Sequence, residues 1–213
     1  MFPISHFNIT RTPFYYYDKT LLSNTLAKLI RLAGERNYHV HYAVKANANP
    51  EILKLIAASG IGADCVSGGE IKAALEAGFP AKKIVFAGVG KADWEIEYAL
   101  EKKIFCFNVE SAEELSVIEE LAPKKENIAS IALRINPNID AHTHEYITTG
   151  LSENKFGIPI EMLDSIFSQI QRSPHVQLVG FHFHIGSQIL NLETFHVLCE
   201  RINQLQDLSL IHI

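Results

Sequence analysis

The sequence has no apolar run near the ~18–20 residues that a membrane-spanning helix needs. Its start, Met1-Phe2-Pro3-Ile4-Ser5-His6, lacks a basic segment followed by an apolar one, so no secretory leader is expected. Cysteines number only three. Cys65, Cys106 and Cys199 are odd in number, far apart and set among apolar residues, which excludes a disulfide framework or a zinc site and fits reduced thiols in the cytoplasm. Neither charge sign dominates: the net charge of −5 over 213 residues gives no case for nucleic acid or an anionic membrane as partner. Gly-x-Gly-x-x-Gly and Walker A stretches are absent, which counts against a dinucleotide- or NTP-binding fold. There is no linker and no low-complexity segment.

What the chain does have is alternation. Asp18 caps a helix expected to run to about Arg36, with Leu21, Leu22, Leu26, Leu29, Ile30 and Ala33 on one face. His39-Val40-His41-Tyr42-Ala43-Val44 reads as a strand, and Asn49-Pro50-Glu51 then opens a helix to Ser59 with cap, N1 proline and first-turn acid in place. Four more strands follow at 60–66, 84–87, 104–109 and 128–135, and the helices between them start at Ser67, Asp93 and Ser111. Ser67/Glu70 and Ser111/Glu114 have capping-box spacing. After a polar loop, 136–157, come a helix from Glu161 to Arg172, a sixth strand from Leu178 to Ile185 and a helix from Glu193 to Gln206. Leu208 to Ile213 reads as the start of a seventh strand.

Nearly continuous apolar strands alternating with helices imply a parallel sheet with helices outside it. The fold class expected is α/β, a (β/α)8 barrel, incomplete here at about six and a half βα units because a full barrel needs about 250 residues. Phe7 to Tyr17, with Phe14-Tyr15-Tyr16-Tyr17, is an aromatic, strand-like segment apart from the rest.

In such a barrel the C-terminal ends of the strands converge and carry the chemistry. Lys45 ends the first strand, Asp64 lies in the second and Arg134 near the end of the fifth. His182, His184 and Ser187 end the sixth. Each has a bland reading too. Lys45 reaches out to solvent, or is desolvated and nucleophilic. Asp64 caps the turn before Ser67, Arg134 pairs with a surface acid, and a histidine in an apolar strand is a satisfied core residue. Together they put an amine, a carboxylate, a guanidinium, an imidazole and a hydroxyl at one rim.

The motifs resemble those of the fold-type III pyridoxal phosphate (PLP) enzymes, which include alanine racemase and the ornithine, arginine and diaminopimelate decarboxylases. Tyr42-Ala43-Val44-Lys45-Ala46-Asn47 is similar to the family's lysine motif, which implies that Lys45 bonds covalently to the cofactor. Phe181-His182-Phe183-His184-Ile185-Gly186-Ser187-Gln188 resembles its His-x-His-Ile-Gly-Ser segment. That match implies His184 stacked on the cofactor ring, Ser187 at the phosphate and Gly186 allowing close backbone approach. Gly62 to Glu70 resembles the segment carrying an Asp near the lysine, here Asp64. Leu133-Arg134-Ile135-Asn136-Pro137 resembles the segment whose Arg faces the site, and Asn154-Lys155-Phe156-Gly157 the Lys-Phe-Gly motif.

Within the group, Ala141-His142-Thr143-His144, Tyr146-Ile147-Thr148-Thr149-Gly150 and Gln188 are most similar to the diaminopimelate decarboxylases. The resemblance, from about Thr12 onward, implies PLP-dependent decarboxylation of meso-diaminopimelate to L-lysine and carbon dioxide, an alanine racemase-like barrel, a cytoplasmic homodimer and no metal. Alternatives are another decarboxylase of the group, a racemase, or a truncated PLP-binding chain without turnover. The family's Gly-rich phosphate loop after the seventh strand, its acid for the pyridine nitrogen and its β-domain find no match here. The expected domains are residues 1–17, a strand belonging to that β-domain, and 18–213, a partial barrel; residues 1–213 alone are expected to lack activity and to associate.

Overall fold

The computed structural model describes residues 3–137, 156–187 and 189–212, with side chains of the last helix described to residue 205. The Thr148-Thr149-Gly150 region, His142, His144, Asn154, Lys155 and Gln188 lie outside the described residues.

The chain forms two compact units, Met1–Val40 and His41–Ile213. The first holds a single-turn helix α1 (Ile4–Phe7) and α2 (Lys19–Gly34). Asp18 caps α2 as expected, its side chain accepting the Leu21 N–H. On the expected apolar face Leu26 and Ala33 are buried, while Leu21 and Leu29 are exposed. Residues 7–17 form no strand, because a strand exists only through a paired ladder and none runs beside them among the described residues. Their aromatic rings meet each other instead: Phe7 lies 5.3 Å from Phe14 and 5.1 Å from Tyr16.

The second unit is built on six parallel strands in the order β1-β2-β3-β4-β5-β6. They are β1 (His41–Ala43), β2 (Gly62–Cys65), β3 (Ile84–Phe86), β4 (Cys106–Val109), β5 (Ala129–Arg134) and β6 (Val176–His182). Parallel neighbours require a crossover, and each crossover carries a helix: α3 (Pro50–Ala58), α4 (Gly68–Glu76), α5 (Asp93–Lys102), α6 (Ala112–Lys124) and α7 (Leu163–Arg172). Strand order that never reverses is that of a barrel wall; a doubly wound sheet would switch direction. Helices α3, α4, α5 and α6 touch in sequence along the outside. Between them and the sheet lies the core, with Leu53, Ile56, Ile71, Phe86, Ile96, Leu115, Ile118 and Ile131 fully buried.

The expected seventh strand is absent. Helix α8 runs from Glu193 to His212, taking in Leu208 and the residues after it. No glycine or proline stands between Glu193 and His212 to stop the helix, and a short apolar run cannot by itself distinguish the two structures.

Candidate active site

The strand ends set the site. Register aligns Ala43, Asp64 and Val85 across β1 to β3, and Arg134 with His182 across β5 and β6. Lys45, Val66 and His184 each follow within two residues of the ends of β1, β2 and β6, so the same rim of the sheet carries them. These groups meet in one cavity of about 340 Å³, a size suited to a small cofactor. Lys45, Asp64, Arg134, His184 and Ser187 all line it, as do Ala87, Gly88 and Val89 of the β3–α5 loop.

Lys45 sits in a 3-10 turn, Val44–Ala46, just past the strand rather than on it. Of its two readings the structure shows the exposed one, with Lys45 at the open mouth while Val44 is fully buried. Asp64 does not cap the turn before Ser67. Glu70 does so, accepting the Val66 N–H at 2.8 Å while Ser67 Oγ accepts the Glu70 N–H. The Asp64 Oδ1 atom is buried without a hydrogen-bond partner. Burial pushes its carboxyl pKa up, opposed by the positive charge of Lys45. Arg134 pairs with a buried acid, not a surface one: its Nη1 donates to both oxygens of Glu110 at 2.8 Å. The Phe156 ring lies 5.4 Å from the guanidinium carbon.

His184 is held below the usual histidine pKa, first by burial and then by Arg134 and Lys45, so its flat ring is neutral at pH 7. Gly186 has φ +138°, a backbone region that side-chain-bearing residues rarely adopt, while Ser187 beside it lines the cavity.

Sequence reasoning placed His182 at the strand end without a role and missed Glu110 and Lys91 altogether. A polar residue at the C-terminal end of a strand was the available signal for Glu110, but its neighbour Ser111 drew the reading towards capping. Burial pushes His182 down to about 4, helped by Arg134, His184 and Lys91, and its Nδ1 is buried without a partner. Between pH 6.5 and 4 the unfolded chain therefore takes up a proton that the folded chain resists. Stability from this residue is present above pH 6.5 and falls as pH drops through that window, at up to about 1.4 kcal/mol per unit. The raised carboxyls of Asp64 and Glu114 act in the opposite sense. Urea denaturation at a series of pH values should accordingly show a shallower acid-side slope for His182→Gln than for the wild type; equal slopes would refute this.

The donor set fits PLP. An amine stands at the mouth, a neutral flat ring on the wall, one lining carboxyl has a buried unsatisfied oxygen, and a hydroxyl lies beside a backbone turn only glycine readily makes. A barrel of this order bearing this set is a pyridoxal-binding domain. Residues 23–209 match the family described as pyridoxal-dependent decarboxylase, pyridoxal binding domain, and the chain belongs to that family. It is 58% identical over 97% of its length to a diaminopimelate decarboxylase of Bacteroides thetaiotaomicron, covering 54% of that protein. To one of Campylobacter jejuni it is 43% identical over 87% of its length, covering 46%. The chain thus spans about half the length of these curated relatives. Among solved structures, a diaminopimelate decarboxylase variant from Helicobacter pylori complexed with L-lysine superposes with TM-score 0.91 at 43% identity, covering 98% of this chain and 52% of that one. An arginine decarboxylase of Paramecium bursaria Chlorella virus shares the fold at TM-score 0.76 and 22% identity. No helix among the described residues is long and apolar enough to cross a membrane.

Proposed function

We propose that the protein of which these residues form part decarboxylates meso-diaminopimelate to L-lysine and carbon dioxide with PLP. The observation that carries this reading is the meeting of Lys45, Asp64, Arg134, His184 and Ser187 on one cavity wall. The similarity to diaminopimelate decarboxylases, at 58% identity against 22% for the arginine enzyme, favours this substrate over arginine.

PLP, when bound, supplies an electron sink for the charge left when the carbon–carboxylate bond breaks. Lys45 would hold the cofactor through its side-chain amine, the group that would make the covalent attachment. His184, neutral and flat, limits the tilt of the ring. Ser187 would hold the phosphate through its hydroxyl, and Gly186, lacking a Cβ, would leave room for the backbone beside it. Asp64 and Arg134 set the electrostatic field around the reacting atoms. Residues 1–17 belong with a β-domain, residues 18–213 with the barrel, and the working protein is a cytoplasmic homodimer.

Expression of the open reading frame in full, with carbon dioxide release measured on meso-diaminopimelate, arginine, ornithine and alanine, tests the reading. Release from meso-diaminopimelate well above the other three is expected. A preference for arginine or ornithine would overturn the substrate assignment.

A further inference from the structure

We propose that Glu110 is a positioning residue of the cavity: from behind the wall its carboxylate fixes Arg134 and the Gly88 backbone, and cancels the guanidinium charge there. This rests on reading the cavity as the cofactor site.

Glu110 follows the last residue of β4, is 6% exposed and lies outside the set of side chains lining the cavity. Two groups that do line it are bound to its carboxylate. Oε1 accepts the Gly88 N–H at 3.0 Å, and both oxygens accept Arg134 Nη1 at 2.8 Å. Glu110 is itself anchored: its own N–H donates to Glu114 Oε2 at 2.9 Å. Glu114 pairs with Lys91 at 2.7 Å, and Lys91, its side chain 1% exposed, donates to the carbonyls of Gly88 and Asn108 at 2.7 and 2.9 Å. Buried side chains thus tie the ends of β3, β4 and β5 together.

Desolvating a carboxylate and a guanidinium is expensive, and well-packed apolar residues of similar volume fill such space at equal or lower cost. Filling space is therefore a poor account of the pair. Orienting the guanidinium is a better one, since Phe156 covers it from another element and Arg134 still lines the cavity. Charge cancellation matters because the charged groups acting on His184 are Arg134 from β5, Lys45 after β1 and Glu110 after β4, while His182 on β6 is neutral at pH 7. Glu110 is the one anion of the three.

The test reads the His184 ring titration by NMR and, separately, the dissociation constant for PLP. Glu110→Gln keeps the shape and removes the charge. The His184 midpoint should fall by at least about half a pH unit, a threefold loss of proton affinity. PLP retention should weaken by about tenfold or more as the wall loosens. The Glu110→Gln/Arg134→Gln double variant should bring the midpoint back towards wild type. Glu110→Asp keeps the charge but withdraws it by one methylene, so the midpoint should hold while PLP retention weakens; it also serves if Glu110→Gln does not fold. A lowered melting temperature with the His184 midpoint and PLP affinity unchanged would reduce Glu110 to a structural residue and overturn the proposal. If the wild type takes up no PLP, the cofactor reading fails, whereas the His184 titration still decides whether Glu110 governs the charge of this wall.

Discussion

Lys45→Ala is expected to abolish both covalent cofactor attachment and turnover. Lys45 is the only lysine lining the cavity among the described residues; Lys91, the other lysine near it, has its ammonium engaged by two carbonyls and Glu114. Losing a covalent group typically costs several orders of magnitude in rate, and among the described residues no other lysine lines the cavity to replace it. Borohydride treatment of the PLP-loaded wild type, followed by peptide mapping, should place the reduced cofactor on the peptide holding Lys45. The same treatment of Lys45→Ala should label nothing. Label on Lys91 or any other lysine would remove the centre of the functional reading.

The second large effect is on stability. Arg134→Gln leaves the Glu110 carboxylate, 6% exposed, without its ionic partner and with the Gly88 N–H as its one remaining described donor. Breaking a buried pair in this way costs about 3–5 kcal/mol, a large share of the 5–15 kcal/mol that typically holds a domain together. Adding Glu110→Gln removes the stranded charge, so the double variant should be more stable than Arg134→Gln alone. Urea denaturation of the wild type and three variants measures the coupling directly. If Arg134→Gln lost less than about 1 kcal/mol, the pair would behave like a surface ion pair and its burial would carry no weight.

How much of this was legible beforehand depends on the range of the interaction. Capping is local, and Asp18, Asn49, Ser67 and Ser111 cap α2, α3, α4 and α6 as their spacing indicates. Even so, the two glutamates of the box pattern reach one residue further than expected, to Val66 and Glu110, because the residue before the cap holds the inward-facing N–H. The aromatic stretch 7–17 forms no strand here, where β propensity finds no partner strand, and the apolar end at Leu208 misled. At Leu208 the uninterrupted helix prevailed.

The sequence by itself determined the βα alternation, the parallel sheet that follows from it, and the residue types at the strand ends: Lys45, Asp64, Arg134, His184 and Ser187 each reach the cavity. These depend on period, capping and chain order, which are written in neighbouring residues. Only the tertiary structure decided which of those residues are paired, which are buried and which are open. Arg134 and Glu110 are 24 positions apart, and Lys91 and Glu114 stand on different βα units. Their partnership arises because adjacent parallel strands bring the same rim together, a distance set by the sheet and not by the chain. The same sheet half-buries His182 and leaves Lys45 exposed at the mouth.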